Sequence, residues 1–114
     1  MLIEFYYNGC GACNTNAAKV KAVAHEFADT VLTVDYSYDC RESEYTAWIR
    51  RHAPMSSHHL VVNGCDTAIF DDLNVNSFPT TILVDKDKNI VARYSGVWSR
   101  SVTAAIKRKL ASIQ

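Results

Sequence analysis

The chain has no net charge: Lys plus Arg and Asp plus Glu both number 12 among its 114 residues. A broad basic face for nucleic acid or an anionic membrane surface is therefore not expected. No apolar run approaches the roughly 20 residues of a membrane span. No basic segment leading into an apolar stretch marks a signal peptide. Because the chain starts almost inside a strand-like run, a signal or anchor ahead of Met1 stays open. Internal repeats, low-complexity tracts and Pro/Gly/Ser linkers are also lacking, which points to one domain over residues 1–114. Cysteine is too scarce for a disulfide-held scaffold, yet four are many for a domain without metal or redox work. Hydrophobic residues make up 48% of the chain and charged residues 21%, a mix that supports a packed core without staples. The cysteines are thus expected to do chemistry, or one pair does chemistry and the other is structural.

What is present begins with Cys10-Gly11-Ala12-Cys13. It follows the apolar run Met1-Leu2-Ile3-Glu4-Phe5-Tyr6-Tyr7 and precedes a long helical pattern. A helix N-terminus offers unpaired N–H groups and partial positive charge, which favour a thiolate on the first cysteine. The second, about a turn further on, can close a disulfide with it. The same spacing also suits half of a zinc site, so both readings stand at this point.

Periodicity divides the rest. Residues 2–7 read as a buried strand, and 11–28 as a helix with Ala17, Val20, Ala24 and Phe27 on one stripe and Val23 beside it. Residues 31–35 read as a strand, and 41–52 as a helix carrying Tyr45, Trp48 and Ile49, closed by Pro54. Residues 60–62 form a short strand ended by Asn63-Gly64, and Asp66 caps a short helix to about Leu73. Residues 80–84 and 89–94 form a hairpin about the polar turn 85–88. Ser99 caps a last helix that buries Val102, Ala105, Ile106, Leu110 and Ile113. The order β-α-β-α-β-α-β-β-α implies an α/β fold: right-handed parallel crossovers, helices on both faces, and a mixed sheet completed by the hairpin.

This order, with Cys-Gly-Ala-Cys after the first strand and Ser77-Phe78-Pro79-Thr80 before the hairpin, resembles the thioredoxin family along the whole chain. The resemblance implies the three-layer thioredoxin-like fold and thiol-disulfide exchange with protein substrates. It implies a cis peptide bond before Pro79, facing the cysteines; by itself Pro79 also fits a strand-entry proline. The extra helix and strand before Pro79 resemble the TlpA-like branch, whose members are commonly extracytoplasmic reductases. A periplasmic or extracytoplasmic location is therefore favoured over a cytoplasmic one. The chain departs from the family with Gly9 where Trp often precedes the first cysteine, Ala12 where Pro is usual, and Ala18 near the place of a helix-kinking proline. A peroxiredoxin-type Pro/Thr-x-x-Cys arrangement is lacking, so peroxidase activity is not expected.

The resemblance assigns Cys10 as the nucleophile and more exposed thiol, and Cys13 as the resolving thiol. It places Glu4 as a buried acid beneath the second cysteine, able to carry a proton near neutrality; an outward-facing Glu on an edge strand is the alternative. Phe78 and Pro79 are the substrate-binding residues, with Tyr6, Tyr7 and Phe78 as an apolar rim. Cys40 and Cys65 follow two strands expected to be parallel neighbours, and are read as a second disulfide, as two unpaired thiols, or as metal ligands with the first pair. His25, His52, His58 and His59 are read as surface or packing residues, Trp98 as core, and Lys107-Arg108-Lys109 as a solvated face. No metal and no cofactor beyond the Cys10–Cys13 disulfide is expected. The partners are protein disulfides and an upstream thiol reductant or oxidant, with the protein acting as a monomer. The competing functions are a non-catalytic binding module of the same fold and a zinc- or copper-binding protein.

Overall fold

A computed structural model describes residues 1–52, the backbone of 58–61, and residues 68–113. Its elements run β1 (Leu2–Tyr6), α1 (Gly11–Glu26), β2 (Thr33–Ser37), α2 (Glu42–His52), β3 (His58–Val61), α3 (Ala68–Asp72), β4 (Thr80–Val84), β5 (Ile90–Ser95) and α4 (Arg100–Ser112). Five strands form one sheet in the order β3-β2-β1-β4-β5. β1 pairs in parallel with β2, and β2 with β3; β4 is antiparallel to both β1 and β5. The sheet is mixed, as the element order implied.

β1 is central, and its period-2 alternation decides what lies on each face. Leu2 and Tyr6 join a core with Cys10, Cys13, Ala17, Val20 and Val23 of the α1 segment, Trp48 of α2, and Ile106 and Leu110 of α4. Phe5 joins a second core with Phe70 of α3, Val75, Ile82 and Val84. Helices therefore cover both faces. Glu4 shares the side of Leu2 and Tyr6, and is paired in register with Asp35 of β2 and Thr81 of β4. One row of polar side chains thus crosses three strands beneath α1.

Several boundaries move. β1 ends at Tyr6, because Tyr7 leaves the sheet and is 38% exposed. α1 ends at Glu26 rather than Ala28, with the Phe27 N–H closing the last turn on the Val23 carbonyl. β2 runs two residues later than its apolar run suggests. Val31 instead donates its N–H to the Phe27 carbonyl at the end of α1. Asp35 and Ser37 continue the strand fully buried, Ser37 donating to the Asp39 carboxylate at 2.7 Å. α2 starts at Glu42 and β5 covers Ile90–Ser95. Pro54, Val62, Asn63, Gly64, Cys65 and Asp66 lie outside the described residues, so the readings placed on them do too.

The Ser99 cap holds as read. Ser99 Oγ accepts from the Val102 N–H at 3.1 Å, an arrangement worth about 1 kcal/mol at a helix start. In the β4–β5 turn, the Asp85 carboxylate accepts from the N–H groups of Asp87 and Asn89, both at 2.9 Å. Gly96 leaves β5 at φ +85, a conformation side chains rarely adopt, and donates its N–H to the Pro79 carbonyl.

Candidate active site

β1 delivers the chain to α1, and Cys10 is the residue at the junction. Its extended backbone makes it the N-cap, and its sulfur accepts the Cys13 N–H at 3.1 Å. No acidic residue stands in the first turn of α1. A sulfur so placed is stabilised as a thiolate by the free N–H groups and the helix dipole. Cys10 and Cys13 are joined in a disulfide with their Cα atoms 5.2 Å apart. The expected difference in exposure is small. Cys10 is 4% exposed and Cys13 2%, since Cys10 too packs into the core beside α1.

Phe78 reaches the pair from the loop before β4. The Phe78–Pro79 peptide bond is cis, as the resemblance implied. The Phe78 carbonyl oxygen lies 3.8 Å from Cys10 Sγ. The Phe78 ring meets Tyr7 edge-on at 5.4 Å and Tyr38 at 5.3 Å. These rings wall a groove of about 610 Å³ that continues past Asp39 and Cys40 to Arg41 and Glu44. Tyr6 is not part of this rim. It is 1% exposed and stacks on Trp48 at 4.2 Å, because residues before Tyr7 still alternate within the sheet.

The segment ahead of Cys10 is held from two sides. Both Asp39 carboxylate oxygens accept the Asn8 N–H, at 3.0 and 3.1 Å. Asn14 donates to the carbonyls of Asn8 and Cys10, and its Oδ1 accepts from Arg51 at 3.0 Å and from His52 Nε2 at 2.8 Å. α2 is thereby tied to the turn that leads into Cys10. Burial, then Arg51 and Lys21, lower the His52 pKa.

Glu4 is 2% exposed, on a central strand and not an edge. Its Oε2 accepts from Asn16 Nδ2 at 3.0 Å and its Oε1 from the Thr81 hydroxyl at 2.9 Å. Burial pushes its carboxyl up to about 8, with Asp35 adding to the rise and the two hydrogen bonds opposing it. A carboxyl of this kind can take or give a proton near neutral pH.

Sequence reasoning missed Asn16, Thr81, Asn14 and Asp39. Asn16 carried a signal: Cys13, Asn16, Ala17 and Val20 follow i, i+3, i+4, i+7, which puts an amide on the buried stripe. Trp98 is fully buried, as read. Lys107, read as solvated, is half-exposed and bridges to Glu26 of α1 at 2.9 Å. Cys40, in the loop after β2, is not a free thiol; Cys65 lies outside the described residues. Among the described residues, no group of three His, Cys, Asp or Glu side chains is placed to hold a metal ion, and no helix is long and apolar enough to cross a membrane.

No protein-family model and no characterised relative matches the sequence. Solved structures do match the fold. The thioredoxin domain of a thiol-disulfide oxidoreductase from Bacteroides vulgatus superposes with a TM-score of 0.82 at 20% identity, over 96% of this chain and 77% of that one. A secreted disulfide oxidoreductase from Mycobacterium tuberculosis gives 0.77 at 16% identity, over 97% and 79%. The exposed lipoprotein thioredoxin of Streptococcus pneumoniae gives 0.73 at 17% identity, over 97% and 82%. The chain has the thioredoxin fold.

Proposed function

We propose that this protein is a thiol-disulfide oxidoreductase, acting on protein disulfides through Cys10 and Cys13 and working as a reductase. The observation that carries the proposal is the Cys10 sulfur at the N-terminus of α1, accepting the Cys13 N–H and lying 3.8 Å from the Phe78 carbonyl oxygen. The likeness in fold to proteins described as thiol-disulfide oxidoreductases supports it.

In the reduced protein, the Cys10 thiolate attacks one sulfur of a substrate disulfide. The substrate S–S bond breaks, a mixed disulfide forms, and the departing substrate thiolate takes a proton. Glu4 accepts the Cys13 proton in this reading. The Cys13 thiolate then attacks Cys10 Sγ, closes the Cys10–Cys13 disulfide and releases the second substrate thiol. Two electrons pass to the substrate, and an upstream thiol donor restores the dithiol. Phe78 and Pro79 present backbone beside the sulfur, where an extended substrate segment can pair. The aromatic groove beyond them receives its side chains.

A second reading, a non-catalytic module of the same fold, has no observation in its favour comparable to the Cys10 geometry. Reduction of insulin disulfides with a dithiol donor separates the two. Turnover that vanishes in Cys10→Ser supports the enzyme, and absence of turnover in the wild type removes it. The secreted and surface-exposed proteins of the same fold support an extracytoplasmic location, which a cell-fractionation experiment tests. The same chain is proposed to act as one domain and as a monomer, without a bound cofactor.

A further inference from the structure

Trp98 lies in the turn between β5 and α4, far from the cysteines in sequence, yet it closes a ring of hydrogen bonds on Glu4. Its backbone N–H donates to Asn16 Oδ1 at 2.9 Å, and its indole Nε1–H donates to Thr81 Oγ1 at 2.8 Å. Asn16 Nδ2 and the Thr81 hydroxyl then donate to the two Glu4 oxygens at 3.0 and 2.9 Å. All four residues are at most 2% exposed, so water does not compete for these groups.

The direction of each bond follows from what Trp98 can do. An N–H only donates, so Asn16 must turn its oxygen to Trp98 and its NH₂ to Glu4. An indole N–H likewise only donates, so Thr81 accepts from it and has its own hydrogen left for Glu4. From this we infer that Trp98 is a positioning residue, holding Asn16 and Thr81 as donors toward the Glu4 carboxylate. The Asn16 NH₂ donates to Oε2 and the Thr81 hydroxyl to Oε1, so both bonds favour the carboxylate and the ring resists the rise that burial imposes on Glu4. The other titratable groups around the ring are Asp35 on β2 and Tyr6 on β1, with Cys13 one turn before Asn16; Lys19 of α1 donates to the Trp98 carbonyl. The catalytic meaning of the ring rests on the reading of Glu4 as proton carrier; the ring itself does not.

The test is NMR titration of the oxidised protein, in which the cysteines are silent. Glu side-chain carboxyl carbons and Trp indole nitrogens are followed together, with Glu4→Gln to identify the Glu4 signal. In the wild type, the Trp98 indole resonance is expected to titrate with the same midpoint as Glu4, and to be flat in Glu4→Gln. Trp98→Phe should raise the Glu4 midpoint by at least about half a pH unit. Thr81→Val should raise it by about one unit, and Thr81→Ser should restore it. In a Thr81→Val background, Trp98→Phe should add little, because the indole acts through that hydroxyl. A Trp98 indole signal insensitive to Glu4 in the wild type overturns the inference without any substitution at Trp98. So does a Trp98→Phe shift that persists undiminished with Thr81→Val. Coupling intact in NMR beside a pH-independent exchange rate would refute the proton-carrier role while leaving the positioning role standing.

Discussion

The carbonyl oxygen of Phe78 and the sulfur of Cys10 lie 3.8 Å apart across 68 residues of sequence. β1 and β4 are hydrogen-bonded neighbours, so the turn after β1 and the loop before β4 meet at one end of the sheet. The proposed nucleophile and the backbone proposed to receive substrate are therefore fixed by adjacent strands.

Cys10→Ser is expected to abolish disulfide reduction. Cys13→Ser should retain the first attack and accumulate mixed disulfides with protein substrate. Non-reducing electrophoresis of each variant after incubation with substrate checks the order. Mixed disulfides through Cys13 in Cys10→Ser would reverse the roles.

Phe78→Ala removes the ring that bridges Tyr7 and Tyr38. We expect a several-fold higher KM for a protein disulfide. The rate with a small disulfide, which does not need the groove, should be little changed. Loss of this half-buried ring should cost about 1–2 kcal/mol, so chemical denaturation accompanies the kinetics. Equal losses with both substrates would argue against docking.

Glu4 gives stability a sign with pH. Its folded pKa is raised from an ordinary 4.5 to about 8, chiefly by burial. The folded protein thus holds a proton that the unfolded chain releases. Stability attributable to Glu4 is complete below about pH 4.5, falls as pH rises toward 8, and levels above it. Glu4→Gln should flatten this part of the profile and gain on the wild type with rising pH, by about a few kcal/mol at most. Urea midpoints from pH 5 to 9 measure it. Parallel profiles for the two proteins would show that Glu4 is not held in this way.

Asn14 ties the Asn8 and Cys10 carbonyls to Arg51 and His52. Asn14→Ala should cost about 1–2 kcal/mol and slow exchange by loosening the turn that presents Cys10. Amide hydrogen exchange should rise both at residues 8–10 and at the C-terminal end of α2. Loss of protection at only one of these places would mean that the two are not linked through Asn14.

Cys40 and Cys65 are proposed to form a second disulfide. Cys40 follows β2, Cys65 follows β3, and these strands are parallel neighbours. Closing the intervening loop is worth about 3 kcal/mol in chain entropy. Peptide mapping of the non-reduced protein should recover the two joined. Free thiols at both positions after mild oxidation would refute the pairing.

Much of this was legible in the chain. Cys10 and Cys13 announced themselves by spacing and by the strand before them, and Glu4 by being acidic within an apolar run. The end of β2 was not legible, because the strand pattern stops at Asp35; only the pairing with β1 and the bond to Asp39 keep Ser37 buried in a strand. Tyr6 and Tyr7 look alike in sequence, and the end of the sheet between them sends one into the core and the other to the groove. The partners of Glu4 come from α1, β4 and the turn before α4. No local pattern brings Asn16, Thr81 and Trp98 together, since only the tertiary fold does.

Whether Cys10 and Cys13 deliver two electrons to a protein disulfide is decided by a single-turnover experiment. Fully reduced protein is mixed with excess insulin, quenched with an alkylating reagent at intervals and analysed by mass spectrometry. One insulin disulfide should be reduced per protein molecule, in step with loss of alkylation at Cys10 and Cys13. Insulin that stays oxidised while both cysteines remain open to alkylation would contradict it.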